Sequence, residues 1–351
     1  MKEKVQRFLE YEINLDHLPG AVVQVMYKGE IILREAIGHR AITPSKKKVM
    51  TEDTVFDLAS LTKVVGTLPA VLSLIDDGLV RLDDPVSYFL PEFAKHNKKD
   101  VTLRHLLTHT SGLPAHRQFY KSQKTTDEII NAICDETLMA PVGKQVMYSD
   151  LGFMLLYKII EKVTEMPYPM FLNRTIFQPL KMINTCFNPQ FPKESYAATE
   201  YSESLGDYRY GIVHDENAEL MGGISGHAGI FSTIDDLTRF AQMIENNGMY
   251  QGERILSSSA LQTSRENFTP FDEDFRGLGW MLKSQSLASC GDYFSMSSYG
   301  HTGFTGTSIW FDPAIDLNVI LLTNRVHYGR QPHIIRLRPR LHNLIRRYFD
   351  S

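Results

Sequence analysis

Asp53-Thr54-Val55-Phe56-Asp57-Leu58-Ala59-Ser60-Leu61-Thr62-Lys63 is the stretch on which the reading of this chain turns. Ser60 opens an apolar helical run, so its hydroxyl is close to the positive end of a helix dipole and to free backbone N–H groups, which stabilise an alkoxide and a developing oxyanion. Three residues make nearly one helical turn, which puts Lys63 on the same face as Ser60. A lysine in a partly desolvated pocket loses some of its preference for the charged form and then accepts a proton. The pair predicts a serine nucleophile with a lysine base. The spacing alone is common, because Ser45-Lys46-Lys47-Lys48 repeats it in a hydrophilic run that reads as a solvated loop. The plain alternative for Ser60 is a helix N-cap.

Working outward, Tyr148-Ser149-Asp150 precedes an apolar helix that starts at Leu151. A tyrosine hydroxyl beside Ser60 and Lys63 takes the serine proton in one step and delivers it to the leaving group in the next. The structural alternative makes Asp150 an N-cap and Tyr148 a buried ring. His301-Thr302-Gly303 leads through Phe304 into a strand at residues 307–311. Glycine in an edge strand lets a substrate backbone approach, and the N–H groups of Ser60 and Phe304 form a candidate oxyanion hole. His301 is expected to line the same cleft; its alternative is an exposed strand histidine.

Apolar, β-branched runs at residues 21–27 and 30–37, split by Lys28-Gly29, read as a hairpin, and so do residues 307–311 and 318–323 around Asp312-Pro313. Between them lie helical patterns at residues 61–77, 103–108, 126–134 and 151–164. The predicted fold is α+β: an antiparallel sheet built from both chain ends, flanked by helices, with a mainly helical region inserted. Residues 334–349 predict a helix packed on the sheet, with Arg336, Arg338, Arg340, Arg346 and Arg347 on a solvated face and Ile335, Leu337, Leu341, Leu344 and Ile345 among its apolar residues.

The three motifs stand in the chain order of penicilloyl-type serine enzymes. Together with Leu82-Asp83-Asp84-Pro85-Val86, Pro179-Leu180-Lys181-Met182 and Thr102-Leu103-Arg104-His105-Leu106-Leu107-Thr108-His109-Thr110-Ser111-Gly112-Leu113, they resemble the penicillin-binding-protein and class C β-lactamase superfamily of serine hydrolases over residues 18–347. The resemblance implies a β-lactamase/transpeptidase-like organisation, with residues 1–62 and 222–351 in the sheet region, 63–221 in the helical insertion, and the active site in the cleft between them. It implies Ser60 as nucleophile, Lys63 and Tyr148 sharing the general-base work, and His301-Thr302-Gly303 as the substrate-lining strand. Two departures bear on the substrate. Asp150 stands where many relatives have asparagine, and His301 where relatives that bind the β-lactam carboxylate have lysine. A carboxylate and a mostly neutral imidazole both disfavour an anionic substrate group, so efficient β-lactam hydrolysis is not the first expectation.

Val213-His214-Asp215-Glu216-Asn217-Ala218 and Gly222-Gly223-Ile224-Ser225-Gly226-His227-Ala228-Gly229 read as a loop lining the cleft. That arrangement is similar to bacterial exo-acting N-acetylmuramyl-L-alanine amidases, and it adds His214 and Glu216 to Asp150, Thr302 and Gly303 as expected substrate-binding residues. The expected activity is hydrolysis of an amide in a peptidoglycan-derived or D-amino-acid-containing peptide. The alternatives are a carboxylesterase on small acyl esters and a β-lactamase-like, penicillin-binding sensor with little turnover. No metal or other cofactor is expected: His214, Asp215, Glu216 and His227 offer ligand types, and His105 and His109 have zinc-like spacing, but the glutamate of H-E-x-x-H is missing. Neither G-x-S-x-G nor G-x-G-x-x-G occurs.

Composition fits these readings. The 351 residues are 43% apolar and 22% charged with a net charge of -4, a globular balance that argues against a nucleic-acid partner. Apolar stretches near residues 64–75 and 153–160 read as too short to span a membrane. The mixed-charge start predicts a cytoplasmic protein unless a leader was removed. Cys134, Cys186 and Cys290 read as small buried hydrophobes. A small-molecule or peptide substrate is the expected partner, with no obligate protein partner implied.

Overall fold

The computed structural model describes residues 1–350 apart from Gln123, Ser286 and Leu287. The two hairpins foreseen from the sequence share one sheet. Gly20–Tyr27 (β1) turns through Lys28 and Gly29 into Glu30–Thr43 (β2). Both turn residues have positive φ, 52° and 79°, the backbone that a tight two-residue hairpin demands. Lys46–Val49 (β3), Met281–Leu282 (β4), Tyr299–Thr302 (β5), Ser308–Asp312 (β6) and Leu317–Thr323 (β7) complete it. The order is β4-β5-β6-β7-β1-β2-β3, antiparallel throughout. Pairing of β1 with β7, which sets Val23 opposite Leu321, joins the two chain ends.

Strand alternation feeds two cores. Val23, Val25, Trp310, Val319 and Leu321 point to one face, where they meet Val5 and Leu9 of Lys2–Asn14 (α1) and Leu337, Leu341 and Ile345 of a C-terminal helix. Val22, Ile309, Phe311, Ile320 and Leu322 point to the other and join the larger core of the helical region. That region includes Leu68–Asp76 (α2), Leu103–Leu107 (α3), Thr126–Cys134 (α4) and Asp150–Thr164 (α5), followed by Glu216–Leu220 (α6) and Ile234–Glu245 (α7). The C-terminal helix is His333–Arg346 (α8). Each fully buried aliphatic side chain contributes roughly 1.5–3 kcal/mol.

Several local expectations need correction. The lysine run at 46–48 is the edge strand β3 rather than a loop, and charged side chains on an exposed edge discourage further strand pairing. α8 does not solvate its whole basic face: Arg338 is buried and donates to the carbonyls of Gly303 and Thr307, both at 2.8 Å, while Ile335 is exposed. The helix expected at 61–77 is three pieces, a 3₁₀ turn at Ala59–Leu61, a π turn at Lys63–Thr67, and α2. The continuous stretch Ala59–Asp76 is long and apolar enough to cross a bilayer, and most of it is buried inside the fold. Cys134 and Cys290 are buried, whereas Cys186 is half-buried.

A small three-stranded sheet positions the site. Ile230–Ser232 pairs on one side with Phe56–Asp57 and on the other with Cys186–Phe187. It thereby ties the segment before Ser60 to the glycine-rich loop at 222–229.

Candidate active site

Ser60 is presented by a strained turn. Ala59 has φ +47°, a left-handed conformation that costs a non-glycine residue of order 1–3 kcal/mol and persists only where the surroundings enforce it. Asp57 is the enforcer: its carboxylate accepts from Ala59 N at 2.8 Å and from His214 N at 2.6 Å. Burial raises the pKa of Asp57, and those two donors work against the rise. Opposite, Thr305 Oγ1 donates to the Asp57 carbonyl at 2.7 Å and Thr307 Oγ1 to the Leu58 carbonyl at 3.0 Å, stitching the end of β5 to the serine turn.

Lys63 lies in the π turn, a device that often re-aims one side chain at a functional site. Its ammonium donates to Ser60 Oγ at 3.1 Å, to Asp150 Oδ1 at 2.7 Å and to the His227 carbonyl at 3.3 Å. The side chain is fully buried. Burial works against its charge, but Asp150 and Tyr148 outweigh burial, and its pKa lies above the ordinary lysine value. Asp150 mirrors it. Burial would raise the carboxyl, yet Lys63, His116 and His227 hold it far below the usual range. The expectation of a lysine with weakened charge therefore gives way to an ion pair, because the carboxylate supplies the charge that burial removes.

Tyr148 packs beside this pair, its ring centroid 4.8 Å from Lys63 Nζ and 4.5 Å from the His109 ring. The chain is held there by Met147 N donating to the His109 carbonyl at 2.8 Å, Ser149 N to His109 Nδ1 at 3.1 Å, and Ser149 Oγ to the Pro114 carbonyl at 2.6 Å. Ser149, not Asp150, is the N-cap of α5, which frees the Asp150 carboxylate to face Lys63. His105 and His109 are not a ligand pair: His105 Nδ1 accepts from Thr102 N at 3.1 Å at the start of α3, while His109 lies past its end with φ +58°.

Ser60, Tyr148, Asp150, His214, Glu216 and Phe304 all line one cleft of about 400 Å³. The Phe304 backbone N–H has no partner among the described residues, as an oxyanion donor requires. His301 and Gly303 are buried and, like half-buried Thr302, do not line the cleft. β5 is the second strand of the sheet, although the two-residue β4 pairs only with Tyr299 and Gly300. A Cβ on Gly303 would overlap Thr307 Oγ1 and the Leu58 carbonyl, so the glycine is needed for the serine turn to approach, rather than for a substrate. His301 Nδ1 donates to the Thr302 carbonyl, 2.9 Å away. Burial, then Lys63 and Arg276, push its pKa well below the ordinary value, so it is neutral. A larger hollow of about 570 Å³ beside Lys28 and Glu245 holds no nucleophile.

The glycine-rich loop brings in residues whose roles were not foreseen. His227 Nε2 is 2.9 Å from Asp215 Oδ1 and its Nδ1 2.8 Å from Ser225 Oγ, which fixes the carbonyl that receives Lys63. Asp150, Asp215 and His227 place ligand-type atoms within 4.8 Å of one another. Lys63 and His227 already occupy those carboxylates, so the cluster is a hydrogen-bonded network and not an open ligand set. At the cleft rim His214 Nε2 meets Glu200 Oε2 at 3.0 Å, and Arg330 bridges Glu200 and Glu216. The bond from His214, together with Arg330, outweighs burial and holds Glu200 at about 2.

Comparison with known proteins places this geometry. The profile of the family described as Beta-lactamase matches residues 5–341. An N-acetylmuramyl-L-alanine amidase of Bacillus subtilis (strain 168) is 33% identical, over 92% of this chain and 81% of its own length. A Salmonella agona (strain SL483) protein named, provisionally, as a D-alanyl-D-alanine carboxypeptidase is 31% identical, over 88% of this chain and 79% of its own. Among solved structures, EstCE1, described as a hydrolase with promiscuous acyltransferase activity, superposes with a TM-score of 0.77 at 22% identity, covering 97% of this chain and 98% of its own.

Proposed function

This chain belongs to the beta-lactamase family of serine hydrolases, and from that premise we propose that it hydrolyses, through an acyl-enzyme at Ser60, the amide that joins the peptide of a peptidoglycan fragment to its muramyl group. Ser60 Oγ attacks the carbonyl carbon, the N–H groups of Ser60 and Phe304 receive the oxyanion, and Tyr148 carries the proton to the departing nitrogen. Water then releases the acyl group.

One observation carries the choice of substrate. The cleft is lined by the carboxylates of Asp150, Asp215 and Glu216, while its lining arginine, Arg330, is spent on Glu200 and Glu216 and its lining His116 is turned to Asp150 at 3.8 Å. Behind the cleft, Lys63 is bound to Asp150 and His301 is neutral. The charged groups that line the cleft are thus committed to one another, which disfavours a carboxylate next to the scissile bond, the group that a β-lactam or a terminal D-Ala-D-Ala presents. The bond between a muramyl lactyl group and L-alanine has no carboxylate there, and the relative from Bacillus subtilis is named for that amide. A role in turning over imported wall fragments in the cytoplasm is part of the same proposal.

The test is hydrolysis of N-acetylmuramyl-L-alanyl-D-isoglutamine, a D-Ala-D-Ala peptide, a penicillin and p-nitrophenyl esters by the wild type and Ser60→Ala. Release of a free L-alanyl amine, faster than any other product and abolished by S60A, is the expected outcome. Faster release of terminal D-alanine would overturn the amidase reading, and preferential ester turnover would replace it with an esterase.

A further inference from the structure

Beside the Tyr148 ring the fold buries a cation that no motif announces. Arg276 lies outside the helices and the large sheet, its backbone fixed by Thr269 Oγ1, which accepts from Arg276 N at 2.8 Å, and by Phe268 N, which donates to the Arg276 carbonyl at 2.9 Å. Its side chain is 6% exposed. One guanidinium nitrogen donates to Asp274 Oδ2 at 2.6 Å, while Nε and Nη1 have no partner among the described residues. The guanidinium carbon lies 5.4 Å from the centre of the Tyr148 ring.

Arginine does not deprotonate in proteins, and a buried guanidinium that is only partly paired is costly. The charge is aimed at the Tyr148 environment. Six charged or titratable groups face or adjoin that tyrosine: Lys63 from the π turn, His109 from the loop after α3, His301 from β5, Arg276 and its partner Asp274, and Asp150 on the tyrosine's own segment, bound to Lys63. Both histidines are neutral, their pKa values lowered by burial and by the Lys63 and Arg276 charges. The imidazole on β5 is thus uncharged, and a fixed cation enters from another segment.

We propose that Arg276 is a positioning residue for the reaction at Ser60, supplying the second fixed positive charge, beside Lys63, that stabilises the Tyr148 oxygen in its anionic form. The proposal rests on the reading of Ser60 as nucleophile and Tyr148 as proton carrier. As the bond from Ser60 Oγ to the carbonyl carbon forms, the serine proton passes to the Tyr148 oxygen. As the C–N bond breaks, the same proton passes to the nitrogen, which leaves with the electron pair. Arg276 neither gives nor takes a proton.

The test is the pH profile of kcat/KM for p-nitrophenyl acetate with wild type, Arg276→Gln, Arg276→Lys, Asp274→Asn and Ser60→Ala, with a thermal melt of each. R276Q is expected to lower kcat by about 10-fold to 10²-fold with little change in KM, and to move the acid limb up by about one pH unit. R276K restores most of both. D274N, which removes a counter-charge but keeps the cation, leaves the acid limb in place or moves it down. A wild-type profile in R276Q, an upward shift in D274N, or equal losses in R276Q and R276K would each overturn the role. Should R276Q fail to fold, the D274N profile decides. Activity persisting in S60A sinks the underlying reading instead, so the two failures are told apart.

Discussion

Lys63 Nζ stands 2.7 Å from Asp150 Oδ1 in a setting where the lysine side chain has no solvent exposure. Each partner holds the other ionised: the lysine pKa lies above 10.5 and the carboxyl pKa below 3.8. The stability that the pair contributes is therefore present across neutral pH. It is lost in acid as pH falls through the depressed folded pKa of Asp150, and in alkali as pH rises through the raised folded pKa of Lys63.

Asp150→Asn leaves a buried ammonium without its counter-charge. Removing one partner of a buried pair costs on the order of 3 kcal/mol, and burial alone then lowers the lysine pKa. Urea unfolding at neutral pH should show the loss, and the alkaline limb of kcat should move to lower pH. An unchanged unfolding midpoint would count against the ion pair as described.

Ser60→Ala should abolish labelling by a fluorophosphonate, since Ser60 Oγ is the cleft hydroxyl presented by the strained turn, with Lys63 Nζ at 3.1 Å. Lys63→Ala and Tyr148→Phe should each lower kcat on the order of 10²-fold or more. Near-normal rates in either variant remove that residue from proton transfer.

The turn before the nucleophile is open to a backbone test. Ala59→Gly relieves the positive φ of 47° and should keep or raise the melting temperature, whereas Ala59→Val should cost about 1–3 kcal/mol and lower kcat by misplacing Ser60. Gly303→Ala pushes the end of β5 from the same turn and should lower kcat by displacing Ser60. Equal melting temperatures for the glycine and valine variants at position 59 would refute the strain.

Far from the cleft, burial raises the carboxyl of Glu245 to about 7, against the bond from Asn318 Nδ2 at 2.7 Å. The folded state then binds more protons than the unfolded chain between pH 4.5 and about 7, so this group's contribution is full in acid and is lost as pH rises through that window. Glu245→Gln should melt higher than wild type near pH 8 and lose that advantage near pH 4.5. The same difference at both pH values would rule out the titration.

The sequence was legible where the physics is local. Apolar, β-branched runs at residues 21–27 and 318–323 predicted strands, Lys28-Gly29 predicted the turn, and helical spacing predicted that Lys63 reaches Ser60, which it does at 3.1 Å. Arg338 was read as solvated because helical periodicity does not say that the carbonyls of Gly303 and Thr307 lie beneath it. His301 was expected in the cleft because strand alternation leaves open which face the neighbouring elements cover.

Local pattern thus determined the two hairpins, and chain order with the family resemblance pointed to the Ser60, Lys63 and Tyr148 set, which the fold brings to one place. The charge state of that set was decided by the tertiary structure. Asp150 lies 87 residues from Lys63 along the chain, and the carbonyl of His227 lies 164 away. Arg276, buried beside the Tyr148 ring, belongs to no motif. Desolvation and Coulomb energy depend on enclosure and distance in space, and neither exists until the insertion has closed over the sheet.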